Sequence, residues 1–124
     1  MSVRTPRPLD GLPLTPAVFH ILLALGDGER HGYAIMREVA ESTDGRIRMG
    51  PGTLYGTIKR MLADRLIEES GVRPDPSMDD ERRRYYRLTA LGARVASAEV
   101  RRMSNLVKSA RGKRLIGQYK GAGG

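Results

Sequence analysis

The sequence predicts an α+β, mainly α fold: a winged helix-turn-helix followed by one long C-terminal helix. Three observations point to it. Apolar residues recur at helical spacing in three short segments before residue 64. Two runs of strand-forming residues then flank a loop rich in Gly, Pro and Asp. The segment 89–110 is amphipathic over its whole length.

Residues 1–14 carry Pro6, Pro8 and Pro13 and no helical period, so they read as an extended N-terminal arm. Thr15-Pro16 opens the first helix, Thr as N-cap and Pro at the first helical position, and Gly26-Asp27-Gly28 ends it. Apolar residues run almost unbroken from Ala17 to Leu25. A helix apolar nearly all round is buried on more than one side, so one side faces the domain core and the other, with Phe19 and Leu23, faces a second subunit. After the turn at 28–32, Ile35, Met36, Val39 and Ala40 mark a second helix reaching about Thr43, broken by Asp44-Gly45.

Gly50-Pro51-Gly52-Thr53 opens the third helix. Leu54, Ile58, Met61 and Leu62 share one face; Thr53, Gly56, Lys59, Arg60 and Ala63 share the opposite one, with Tyr55 and Thr57 at the shoulders. That opposite face is small, polar and basic. Leu66–Ser70 and Arg82–Leu88 read as two strands closing a long hairpin around the loop 71–81. In the last helix Val95, Ala96, Met103, Leu106, Val107 and Ala110 fall on one side, and Arg94, Ser97, Arg101, Ser104 and Lys108 on the other. Such a helix outruns a three-helix core of this size, so its apolar side calls for a partner chain. The expected organisation is an arm (1–14), a winged helix-turn-helix domain (15–88), a dimerisation helix (89–111) and a flexible basic tail (112–124).

Composition excludes several function classes. The 124 residues hold 22 Lys and Arg, 14 Asp and Glu, and no Cys, for a net charge of +8. One small domain is the consequence. Without Cys there is no disulfide framework, no thiolate zinc site and no cysteine nucleophile. His20 and His31 stand apart with no acidic third ligand, so no metal and no cofactor is expected. No carboxylate pair is placed by spacing, and an enzyme is not expected. Gly50-Pro51-Gly52 lacks the Lys-Ser/Thr of a phosphate loop and reads as a helix entry. The apolar stretch 17–25 is too short to span a bilayer, and the N-terminus has no signal-peptide core, so the protein is expected in the cytoplasm with no membrane partner.

The charge is unevenly placed. From Arg101 to Gly124 there are seven bases and no acid, leaving the first hundred residues near +1. Asp75, Asp79, Asp80 and Glu81 directly precede Arg82, Arg83 and Arg84, so the hairpin separates charge along its loop. Three helices followed by an arginine-bearing hairpin have a direct physical use. A helix with a small, polar outward face enters the major groove, while the hairpin contacts phosphates or the adjacent minor groove.

Four motifs in order carry a family resemblance: His31-Gly32-Tyr33-Ala34-Ile35, Gly50-Pro51-Gly52-Thr53-Leu54-Tyr55, Leu66-Ile67-Glu68, and Arg84-Tyr85-Tyr86-Arg87-Leu88-Thr89-Ala90-Leu91-Gly92. Over residues 14 to 110 the chain resembles the PadR family of transcriptional regulators, in its short subtype with a single C-terminal helix. The resemblance implies a homodimeric winged-helix repressor that binds double-stranded DNA at a roughly palindromic operator. It also implies release by a small-molecule effector at or near the dimer interface. Carried over residue by residue, it puts Tyr33, Thr53, Tyr55, Thr57 and Lys59 on the DNA-facing side and Arg82, Arg83 and Arg84 on the wing. Arg60 joins them from the helical pattern alone.

Lys59 and Thr57 are the candidates for base edges, and Tyr55 for covering the core edge while its hydroxyl reaches a phosphate. Strand alternation keeps Arg82, Arg83 and Arg84 from all making the same contact, and puts one of Tyr85 and Tyr86 in the core. Phe19, Leu23, Met103 and Leu106 are read as plain dimer core or as the lining of an effector pocket. The acidic hairpin loop keeps open an alternative: a winged-helix interaction module that has lost specific DNA reading.

Overall fold

The structure, a computed structural model, describes residues 11–72 and 84–116. Its elements in chain order are α1 (Pro16–Ala24), β1 (Arg30–His31), α2 (Gly32–Ser42), α3 (Pro51–Ala63), β2 (Ile67–Val72), β3 (Arg84–Leu88) and α4 (Ala90–Gly112). Arg82, Arg83, the acidic loop, the arm before Gly11 and the tail after Ile116 lie outside the described residues.

Local chemistry sets the helix starts. The Thr15 hydroxyl accepts the Val18 N–H at 3.3 Å with Pro16 following, and the Thr89 hydroxyl accepts the Gly92 N–H at 2.9 Å. At α2 the cap is His31, whose Nδ1 accepts the Ala34 N–H at 3.0 Å. Gly50 caps α3 with no side-chain bond and Pro51 behind it. Helix ends share a different device. After α2, α3 and α4 the chain turns through Asp44, Arg65 and Arg114 in the left-handed region, at φ 52, 62 and 62°. The following N–H bonds back to Ala40, Met61 and Ala110 at 2.7, 2.9 and 2.8 Å, which satisfies carbonyls the helix leaves open.

The sheet is antiparallel in the order β1-β3-β2, with Arg30 opposite Tyr86, His31 opposite Tyr85, and Ile67 opposite Leu88. The sequence pattern places residues 30 and 31 in a turn. They instead add a third strand, because the turn out of α1 brings them against β3. There the ring of His31 meets that of Tyr85 edge-on at 5.3 Å. A bulge between Glu69 and Gly71 lets two residues oppose one; Gly71, at φ 149°, takes a backbone conformation that other residues avoid.

One core joins these elements: Ile21, Leu22 and Leu25 from α1, Ile35 and Val39 from α2, Leu54, Ile58 and Met61 from α3, Ile67 and Tyr86 from the sheet, and Val95 from α4. Tyr86 is therefore the core tyrosine of its pair, and Tyr85 is half-buried. Val95 is a correction to the expected dimer face. It packs in the core of its own chain because it lies one helical turn from Leu91 and from Ala98 and Glu99, which face the same body.

α4 has 23 residues and so extends about 34 Å. Its buried residues are Gly92, Val95, Ala98 and Glu99, all in its first half. Beyond them Val100, Leu106 and Val107 are 48, 55 and 43% exposed. Glu99 is fully buried and charged. Its carboxylate accepts the Leu14 N–H at 2.9 Å and the Arg102 guanidinium at 2.5 and 3.2 Å, tying the segment before α1 to α4. The bond from Arg102 holds the Glu99 carboxyl below its ordinary range, against burial, and the Leu14 N–H adds to it. No described helix is long and apolar enough to cross a membrane.

Candidate nucleic-acid interface

The outward face of α3 is what the helical pattern predicted. Thr53, Gly56, Lys59, Arg60 and Ala63 are exposed, while Leu54, Ile58 and Met61 point into the core. Lys59 and Arg60 have no carboxylate within ion-pair distance among the described residues. A Cβ added at Gly56 or Gly52 would meet nothing, so the surface between these cations is open to close approach.

Thr57 departs from expectation. It is 1% exposed and its hydroxyl donates to the Thr53 carbonyl oxygen at 2.7 Å. It stands three residues after Leu54 and four before Met61, at the edge of the apolar row, and the packing draws it inward. The structure removes it from the DNA-facing set.

Tyr55 bridges elements. Its ring lies over the start of α2, where a Cβ at Gly32 would fall 2.5 Å from the Tyr55 hydroxyl oxygen. A side chain at position 32 would displace the Tyr55 ring, which packs where the starts of α2 and α3 meet. Tyr33, the next residue of α2, is 43% exposed, with the Arg37 guanidinium 5.8 Å from its ring centroid.

Between α3 and the wing a groove of about 260 Å³ brings Tyr55, Lys59 and Leu62 opposite Glu69, Arg84 and Tyr86. Arg84 is exposed and stands 3.5 Å from Glu69; Arg87, across the strand, bonds Glu68 at 2.7 Å. These exposed pairs organise the wing more than they stabilise it. Lys59 and Arg84 thus line one groove, and Arg82 and Arg83 lie outside the described residues.

Of the expected dimer residues, Leu23, Leu106 and Val107 are exposed and Phe19, Met103 and Ala110 are half-buried. Val100 is likewise exposed. With Ala96, Met103 and Val107 it follows spacings of four, three and four, a row beside the one that Val95 occupies. The sequence reading merged the two rows into one face.

The profile of the transcriptional regulator PadR-like family matches residues 21–98, from the second half of α1 to the middle of α4. The chain belongs to the PadR-like family. PadR-like proteins are transcriptional regulators and not enzymes, and the winged helix-turn-helix described above is their fold.

This PadR-like chain is 33% identical over 93 residues to the transcriptional regulator Rv3488 of Mycobacterium tuberculosis, covering 75% of this chain and 80% of that one. It is 36% identical over 86 residues to an uncharacterized 37.1 kDa protein in transposon TN4556 of Streptomyces fradiae. That match covers 69% of this chain but only 22% of the larger protein. The crystal structure of a PadR family transcription regulator from Clostridium difficile R20291 superposes with a TM-score of 0.66 at 23% identity. It covers 83% of this chain and all of that one, and shows the shared fold.

Proposed function

We propose that this PadR-like chain is a homodimeric, sequence-specific DNA-binding repressor, acting in the cytoplasm, whose two α3 helices enter successive major grooves of a roughly palindromic operator. The observation that carries the reading is the α3 face itself: two cations with no ion-pair partner among the described residues, on a surface of small side chains beside the β2–β3 hairpin. Lys59 is assigned to a base edge, since a cation on a helix in the major groove pairs with guanine acceptors. Thr53, Tyr55, Arg60 and Tyr33 hold backbone phosphates, joined by Arg84 and its neighbours Arg82 and Arg83 from the wing.

Dimerisation is assigned to the exposed row Val100, Met103, Leu106, Val107 and Ala110 of α4, with Phe19 and Leu23 of α1 next to it. A second copy is the occupant because the row continues along a helix that leaves its own body, and a two-fold contact sets the two reading helices at a fixed spacing. A small-molecule effector seated at this seam releases the DNA by favouring one angle between α4 and the winged body. It does so only through different affinities for the two states.

Backbone amide shifts on titration with a 20-base-pair duplex test the assignment of the face. Changes concentrated at 33, 51–63 and 84–87 are expected. Changes confined to α1 and α4 would overturn it. With six phosphates neutralised per dimer, log K against log salt falls with a slope of about −5.

A further inference from the structure

A second groove, on α2, has no part in the reading of bases. It encloses about 230 Å³ between Tyr33, Arg37 and Arg48 on its rim and Met36, Ala40 and Met49 on its floor. Arg37 is held over the Tyr33 ring. Arg48 folds back so that its Nε donates to the Gly45 carbonyl oxygen at 3.2 Å. Gly45 makes this possible twice over. Its φ of 76° suits glycine, and a Cβ there would fall 2.9 Å from the Arg48 guanidinium.

Neither arginine has a carboxylate within ion-pair distance among the described residues, and no acidic side chain lines the groove. Two cations, one phenol and an apolar floor are complementary to an anion attached to an apolar body. A sugar–phosphate backbone has that chemistry. Its place in the fold selects the occupant. Met49 directly precedes Gly50, the cap of α3, and Tyr33 is the second residue of α2, so the groove opens beside the start of the reading helix.

We propose that Arg37 and Arg48 form a phosphate clamp that grips the DNA backbone at the flank of each half-site, next to the bases that α3 reads. The clamp rests on the assignment of α3 as the reading helix. It adds affinity and fixes register without adding sequence information, because phosphates carry none. No sequence motif marks it: residues 37 and 48 lie eleven apart, on α2 and on the linker to α3, and the turn at Asp44-Gly45 brings them to one groove.

The test compares wild type with the double variant Arg37→Gln, Arg48→Gln on a selected operator and on its scrambled sequence, over a range of salt. Circular dichroism confirms that the variant is folded. Two phosphates per protomer in a dimer make the salt slope of the variant shallower by about 3 to 4, at about 0.9 per phosphate. The ratio of operator to scrambled affinity stays within about twofold of wild type. Methylphosphonates at the flanking phosphates weaken wild type and leave the variant unaffected.

A wild type that discriminates its operator, with a variant of unchanged slope, overturns the clamp and leaves the reading helix standing. A variant whose slope is unchanged but which loses stabilisation of wild type by benzoate assigns the groove to small organic anions and also overturns it. A wild type that prefers no sequence defeats the reading of α3 itself.

Discussion

Two helical glycines should respond in opposite directions to the same change. In an unconstrained helix Gly→Ala stabilises by about 1 kcal/mol, through the smaller entropy of the unfolded chain. Gly56 meets that condition: it is exposed on α3 and a Cβ there touches nothing. Gly92 does not. A Cβ there would overlap the Leu66 carbonyl oxygen and fall 2.9 Å from its carbon, both backbone atoms that cannot swing aside. To relieve the overlap α4 must lift from the end of α3. That movement loosens the bonds by which Thr89 anchors it: N–H to Leu66 O at 3.1 Å, and hydroxyl to Leu66 O and Arg65 O at 3.0 and 2.6 Å.

Overpacking costs about 1 to 3 kcal/mol and each weakened bond about 1 kcal/mol, so Gly92→Ala is expected to destabilise by about 3 kcal/mol net of the helical gain. Urea unfolding followed by circular dichroism, at one fixed protein concentration, reads both variants. Gly56→Ala should raise the midpoint and Gly92→Ala lower it with unchanged m. A Gly92→Ala protein as stable as wild type would refute the close crossing of α4 over Leu66. That crossing sets the angle between α4 and α3.

Other expectations test separate parts of the account. Lys59→Ala should lose about 1 to 3 kcal/mol of discrimination at one base position, measured by competition between operator variants. Thr57→Val, conservative at a buried site, should leave operator affinity within about twofold. Leu106→Glu should yield a monomer by sedimentation equilibrium with its helical content intact. His31 is shifted below its ordinary pKa by burial and by the Arg37 charge. The unfolded chain therefore takes up the proton first, and stability is complete above about pH 6.5 and falls below it. Thermal melts from pH 7.5 to 5 should show a slope that His31→Asn, which keeps a cap, reduces.

Most of the architecture was legible because it rests on periodicity and punctuation. Thr15-Pro16, Gly50-Pro51 and Thr89 announce helix starts, and the buried faces of α2 and α3 follow their apolar spacing. What escaped depends on contacts distant in sequence. β1 forms because β3 offers a partner edge, and nothing in Arg30-His31 marks a strand. Glu99 reads as one more charge on an amphipathic helix until Leu14 and Arg102 close over it. Thr57 and Val95 were misplaced for one reason: each lies about 60° or less from a boundary between faces, where a wheel alone cannot decide. The exposed surface of the candidate site was legible in part. Lys59, Arg60 and Thr53 follow from the exposed face of α3, whereas Arg37 and Arg48 required the fold of the α2–α3 turn.

The central claim is that α3 reads DNA sequence as one of a symmetric pair. Selection from a random duplex library with the purified protein, counter-selected at moderate salt, tests it most directly. The account predicts an inverted repeat whose half-site centres lie about one helical turn apart, with the preference at one base position of each half-site lost in Lys59→Ala. Weak, salt-sensitive binding to every duplex, with no enriched motif, would contradict it and leave a winged-helix interaction module that carries charge but reads no sequence.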